Sequence, residues 1–214
     1  MAGAFDYKKE YKDLYLPKEK PCLTDVPEMV FIMVDGKGNP QGEDYQAAVE
    51  ILYGLSYSIK MSKKSGTQPE GYFEYVVPPL EGLWWLPDGE DSGIGIDKGK
   101  FFWISMIRQP EFVDEAAFET AKTALSKKKP NVDTSRARLE KFKEGLCVQA
   151  MHVGSYDDEP RTIEAIMRYI TESGYVCDLS DTRRHHEIYL NDPRKVAPEK
   201  IMTVIRYPVA KPCD

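Results

Sequence analysis

The order strand, helix, strand, strand occurs twice along this chain, and that repetition restricts the fold more than any single motif does. Met29-Val-Phe-Ile-Met-Val34 is a short apolar run that reads as a buried strand closed by Asp35-Gly36. Ala48, Ile51, Leu52, Leu55 and Ile59 then fall on one helical face. After the Ser65–Pro69 loop, Tyr72 to Val77 alternates weakly as a strand that Pro78-Pro79 interrupts. Leu80 to Trp85 continues it, and Phe101 to Arg108 gives the next strand. The order returns with Leu146 to Val153, a strand closed by Gly154. Asp158 caps a helix with Pro160 in its first turn, and Ile163, Ile166, Met167 and Ile170 share one face. Gly174 ends that helix and a terminal pair of strands follows. Met33-Val-Asp-Gly36 stands in register with Met151-His-Val-Gly154. The halves share few identities, so order and spacing carry the duplication.

The fold expected is α+β: tandem βαββ units related by a pseudo-twofold, helices on one side and a sheet surface on the other. A groove at the seam of the repeat is then the natural ligand pocket. The boundaries expected are a lead segment at 1–28, a first βαββ at 29–108, a helical linker at 109–145 and a second βαββ at 146–214. The lead carries Phe5, Tyr7, Tyr11, Tyr15 and Leu16 and is too aromatic for a disordered tail; it should wrap the domain surface. In the linker, Asp114 is placed as an N-cap, with Val113 and Phe118 as a hydrophobic staple. Lys127-Lys128-Lys129 before Pro130 marks the end of that helix. A second short helix is predicted around Leu139 and Phe142, ending at Gly145.

A net charge of −6 across 214 residues gives no global field to draw the chain to nucleic acid or an anionic membrane. There is no apolar run of membrane-spanning length, and Met1 to Lys9 lacks the apolar centre of a signal peptide. Cys22, Cys147, Cys177 and Cys213 are scattered without CxxC spacing, so a cytoplasmic protein with reduced thiols is expected. No metal is expected either. His185 and His186 are adjacent on a strand and point to opposite faces, which prevents them from sharing one ion. Gly93 to Gly99 lacks the spacing of a dinucleotide loop, and no cofactor is predicted.

The terminal strand pair holds the best site candidates. His186, Ile188 and Leu190 alternate with His185, Glu187 and Tyr189. Asn191-Asp192-Pro193 supplies the turn, and Ile201 to Tyr207 returns with β-branched residues. If Ile188 and Leu190 face a core, Glu187 and Tyr189 share the other face, where a carboxylate among aromatics would attract cations or exchange protons. The plain alternative is a solvated Glu on an exposed sheet face. Glu81 is the second candidate, an acid in the apolar run Leu80–Trp85, against the alternative of a charge that protects an edge strand. Glu74 is a weaker third, at the equivalent strand position of the first half. Trp85 and Trp103 are either core or the walls of a slot for a flat ring system. Trp84, pointing opposite to Trp85, fits the core better, and Tyr156 stands at a strand end where pocket rims lie.

His185 to Pro193, Pro198-Glu-Lys200 and Arg206-Tyr-Pro-Val209 closely resemble the C-terminal signature of the GyrI-like small-molecule-binding family. Pro79 to Trp85, Trp103 through Pro110, Glu144-Gly145 and Met151 to Tyr156 extend the resemblance over nearly the whole chain. It is closest to the stand-alone branch, since no helix-turn-helix segment precedes the domain. The resemblance implies a multidrug-regulator effector-domain fold, with a central pocket for planar, often cationic or lipophilic molecules and an acidic residue at its floor. That residue maps onto Glu187, and the ligand-binding set expected is Trp85, Trp103, Met151, Tyr156, Glu187 and Tyr189.

Two functions fit these residues. One is a xenobiotic-binding or detoxifying protein that holds a small molecule against Glu187 between Tyr and Trp walls. The other is a hydrolase in which Glu81 and Glu187 flank a water and open the ring of cyclopropanoid DNA-alkylating compounds, as the resemblance implies for some stand-alone members. The only partner expected is the small molecule.

Overall fold

The computed structural model describes residues 3–87 and 97–212. The chain divides into two compact units. One holds residues up to Asp6, Met29–Pro78 and Trp84–Phe142; the other holds Tyr7–Glu28, Pro79–Leu83 and Lys143–Asp214.

The first unit contains most of β1 (Cys22–Lys37), α3 (Glu43–Met61), β3 (Phe102–Arg108) and α4 (Glu115–Lys128). β1 and β3 pair antiparallel, with Phe31 opposite Arg108 and Gly36 opposite Trp103. Gly36 is required there: a Cβ would lie 2.1 Å from the Trp103 ring, so only glycine lets the indole cross the strand. α3 buries Ala48, Ile51, Leu52, Leu55 and Ile59, the stripe expected from their spacing. Asp114 caps α4 by accepting from the Ala117 N–H at 2.9 Å, and Val113 and Phe118 are buried as a staple requires.

The second unit contains α1 (Tyr7–Glu10), α2 (Lys12–Tyr15), the larger part of β4 (Ala137–Val153), α5 (Glu159–Glu172), β5 (Val176–Cys177), β6 (His185–Tyr189) and β7 (Met202–Ala210). β7 runs antiparallel to β4 along one edge, and to β6 and then β5 along the other. β2 (Leu80–Trp85), whose first four residues belong to this unit, is the next neighbour of β6. The registers stack Gln149, Arg206 and His186 in one row and Met151, Val204 and Ile188 in the next. Side chains alternate, so the opposite face carries Val148, Ala150 and His152 of β4, Thr203, Ile205 and Tyr207 of β7, and His185, Glu187 and Tyr189 of β6. α5 covers that second face: Ile166 and Ile170 pack with Val148, Ala150, Ile205, Tyr207 and Val209. Each buried aliphatic side chain there contributes about 1.5–3 kcal/mol of transfer free energy.

Strand, helix, strand, strand therefore does occur twice, as β1-α3-β2-β3 and β4-α5-β6-β7, with β5 a two-residue addition before β6. Two local expectations are corrected. Residues 137–145 are strand, not a second helix; the three-residue spacing of Leu139 and Phe142 suits a helix locally, but ladder pairing prevails. Gly145 ends no helix and sits within β4 at φ +73, a conformation glycine adopts without strain. Tyr72 to Val77 is not a strand, apart from one isolated bridge between Tyr75 and Phe5, because two prolines end its ladder at once. The turn expected at 87–99 lies largely outside the described residues. Among the described residues, no helix is long and apolar enough to cross a membrane.

Candidate functional site

β6 sends consecutive side chains to opposite faces of the sheet, and each face of the second unit gathers its own carboxylates. On the Arg206 face, His186 is the hub. Its Nδ1 lies 3.0 Å from Glu144 Oε2 and its Nε2 lies 3.0 Å from Glu81 Oε2. The Glu144 contact is a formed hydrogen bond, whereas the Glu81 contact is off the ring N–H direction and acts as a charge pair. Arg206 Nη1 reaches Glu144 Oε2 at 3.1 Å, and its Nε donates to Gln149 Oε1 at 2.8 Å. The lead segment closes this cluster: the carbonyls of Leu14 and Asp13 accept from Arg206 and Gln149, and the Tyr15 hydroxyl donates to Glu81 at 3.3 Å. Glu81, Glu144, His186 and Arg206 are all within 5 % of complete burial.

Burial by itself would push the His186 imidazole down. The charge and hydrogen bond of Glu144, followed by the attraction of Glu81, outweigh it and hold the group at about 9. Burial likewise pushes the Glu144 carboxyl up, but His186 and Arg206 hold it at about 2. Two carboxylates and two cations thus balance in a closed space. A buried pair of this kind is a folding element, and removing one partner exposes the desolvation cost of the other.

The Tyr207 face is different. Glu187 accepts from His185 Nε2 at 2.8 Å through one oxygen and from the Tyr189 hydroxyl at 2.9 Å through the other. Its side chain keeps 14 % exposure, against 1 % for Glu81. Tyr156, one of the exposed large hydrophobic residues, meets Tyr189 edge-on at 6.2 Å between centroids. The His185 ring lies 4.7 Å from that of Tyr207. Burial, then the charges of Glu187, Cys177 and Glu159, push the Tyr207 hydroxyl up. Glu159 opens α5 and is buried.

The residues expected to form one site are therefore distributed. The structure brings Glu187, Tyr189 and Tyr156 together on the Tyr207 face. Glu81 on β2 and Met151 on β4 lie on the Arg206 side of the sheet, so Glu81 and Glu187 do not meet around one water. Trp85 and Trp103 belong to the other unit. There Trp103 is fully buried against Tyr45, edge-on at 5.0 Å, and Trp85 stacks on Phe102 at 5.9 Å with partial exposure. Trp84 is buried, as its alternation with Trp85 requires. Glu74 is an exposed partner of Lys63 at 2.9 Å. Sequence reasoning missed His185 as the donor to Glu187; i, i+2 spacing on a strand was the available signal. It also missed Glu144 and Arg206, which the sequence gives no local reason to join. His152 has both ring nitrogens occupied, by Thr162 Oγ1 and the Ser155 carbonyl, each at 2.9 Å. It is a satisfied core residue.

The model of the GyrI-like small molecule binding domain matches residues 20–210, and the chain belongs to that family. It is 50% identical to an uncharacterized conserved protein of Listeria innocua, over 96% of this chain and 100% of that one, with a TM-score of 0.91. It is 48% identical to a protein of Listeria innocua described as a hydrolase, over 97% and 100% of the two chains, with a TM-score of 0.90. The C-terminal domain of EcmrR shares the fold at 14% identity, over 90% and 98% of the chains, with a TM-score of 0.52. No curated protein matches the chain.

Proposed function

We propose that the protein binds lipophilic, planar and often cationic small molecules on the Tyr207 face of its second unit, with Glu187 as the charge partner, and serves as a xenobiotic-binding or detoxifying protein. The observation that carries this reading is the setting of Glu187. Its carboxylate is oriented by His185 and Tyr189 and keeps some exposure, and Tyr189 in turn meets the exposed ring of Tyr156. A cation against such a group gains both Coulomb attraction and a cation–π contact of about 1–2 kcal/mol when water is excluded. Titrating a lipophilic cationic dye and a neutral analogue of the same shape into the protein and its Glu187→Gln variant tests this. Selective loss of the cation supports the reading; equal affinities for the two dyes in both proteins would sink it.

The Listeria innocua relative described as a hydrolase favours a second reading, in which the bound molecule is also turned over. The substrate class is then a cyclopropane conjugated to a carbonyl, as in cyclopropanoid DNA alkylators. Glu187 takes a proton from water while the oxygen bonds to a ring carbon. The ring C–C bond breaks, its electron pair moves into the conjugated carbonyl, and the carbonyl oxygen takes up a proton. Water is the only co-reactant. Glu81 enters this scheme through the fold, since its contacts are His186 and Tyr15. Mass analysis after incubation separates the readings: a product heavier by one water marks the hydrolase, and unchanged compound marks the binder.

A further inference from the structure

The ring that anchors the Tyr207 face belongs to the core of the second unit. Tyr207 packs with Val148, Ala150, Ile205 and Val209 of the sheet and with Ile166 and Ile170 of α5, and it is 9% exposed. A ring wedged among aliphatic groups at interior density holds one position, since a turn would need space that close packing does not leave. The ladder between β6 and β7 sets Glu187 opposite Ile205 and His186 opposite Arg206. One residue further along, His185 lies against Tyr207, with ring centroids 4.7 Å apart and planes tilted by 46°.

The His185 imidazole directs its hydrogen bonding to Glu187. Its Nε2 donates to Glu187 Oε1 at 2.8 Å, while its buried Nδ1 has no hydrogen-bond partner among the described residues. The χ2 torsion of a histidine is broad, so one hydrogen bond does not fix the plane of the ring; contact with Tyr207 supplies the missing restraint. The other oxygen of Glu187 accepts from Tyr189, whose ring meets Tyr156. Exposure rises along this row, from Tyr207 at 9% to Tyr156 at 37%, so solvent reaches it from the Tyr156 end.

We infer that Tyr207 and His185 are positioning residues for the ligand site: the helix-packed Tyr207 ring holds the plane of the imidazole, and the imidazole holds the direction of the Glu187 carboxylate. This deepens the binding reading and rests on it. The ligand then meets Glu187 from the Tyr156 end, and the two braces act on it only through the carboxylate. A site of this kind presents its charge already aimed, so binding does not have to order the carboxylate.

The test uses the full chain, the same lipophilic cationic dye and its neutral analogue. His185→Leu should weaken the cationic dye about tenfold and the neutral one less than about twofold, because the carboxylate loses its direction and keeps its charge. His185→Gln, whose amide nitrogen stands near the place of Nε2, should recover the cationic dye to within about threefold of the wild type. Tyr207→Leu should weaken the cationic dye selectively as well, and Tyr207→Phe, which keeps the ring, should not. If Tyr207→Leu does not fold, Tyr207→Met serves in its place, filling the volume without a flat face. The two residues act in series, so Tyr207→Leu should add no further loss in a His185→Leu background. Additive losses, or equal losses of the two dyes, overturn the inference, since they mark these side chains as walls that touch the ligand. An unchanged affinity in His185→Leu overturns it too. Three-bond couplings along the Glu187 side chain give an NMR readout without ligand: one rotamer in the wild type and His185→Gln, averaging in His185→Leu. If the wild type binds neither dye, the binding reading fails. Couplings that still average in His185→Leu then keep the brace as a feature of the fold, and couplings that do not change remove it as well.

Discussion

Glu81 on β2 and Glu187 on the neighbouring strand β6 face opposite sides of the sheet, and they have opposite circumstances. Glu81 faces His186 in a cluster that also holds Glu144, Arg206 and the lead segment, and water has no access to it. Glu187 is held by His185 and Tyr189 of its own strand and keeps part of its surface open. The first arrangement sets its charges against one another within the buried cluster. The second fixes the direction of a carboxylate that stays partly open to solvent, and that is the condition in which an incoming cation can reach it. The same residue type thus does folding work on one face and recognition on the other, and burial with paired charge decides which.

The largest expected effects come from breaking the closed face. Arg206→Met or Glu144→Gln should each destabilise the protein by about 3–5 kcal/mol in urea denaturation, because an unpaired charge is left buried. Glu187→Gln should cost less than about 1 kcal/mol in the same experiment, as expected for a group near the surface. If the two faces respond alike, the contrast between them is lost.

The pH dependence of stability comes next. His186 is held at about 9, above its ordinary 6.5, so its contribution is complete below about pH 6.5 and is lost as pH rises through 9. Glu144 is held at about 2, below its ordinary 4.5, so its contribution is complete above about pH 4.5 and is lost as pH falls through 2. Urea midpoints measured from pH 4 to 10 should therefore form a plateau that falls on the alkaline side as His186 releases its proton. The magnitude is on the order of a few kcal/mol. An alkaline limb as high as the plateau would show that His186 is neutral in the folded protein.

Smaller effects belong to the open face. Glu187→Gln should weaken a lipophilic cationic dye by about tenfold or more, with little change for the neutral analogue, a contrast read directly by fluorescence titration. Tyr156→Ala should weaken both dyes by only about threefold, since an exposed ring adds stacking of about 0.5–1.5 kcal/mol without charge preference. A charge-selective loss at Tyr156 would mean that its ring does more than stack.

Much of this could be read before any coordinates. The α3 stripe, the α5 stripe, the Asp114 cap and its staple, and the alternation of His185 to Tyr189 all follow from residues a few positions apart. Their physical causes, side-chain periodicity and local capping, act over the same short range. The strand at 137–145 was not legible, because Leu139 and Phe142 satisfy helix spacing equally well and only their ladder decides between the two. Nor was the division of the site candidates. Glu81 and Glu187 look alike in sequence, each an acid among apolar or aromatic neighbours in a strand.

The sequence by itself determined the repeated order of elements, the family, and which side chains of β6 share a face, since each depends on local periodicity or on motifs written in the chain. The tertiary structure decided which face is sealed. It brought Leu14 and Tyr15 of the lead segment over the Arg206 face, joined Glu144 to Arg206 across 62 positions, and laid Ile166 and Ile170 of α5 on Tyr207 and its neighbours. Those pairings link residues far apart in the chain, and their energies come from desolvation and charge in the assembled core, which no local pattern encodes.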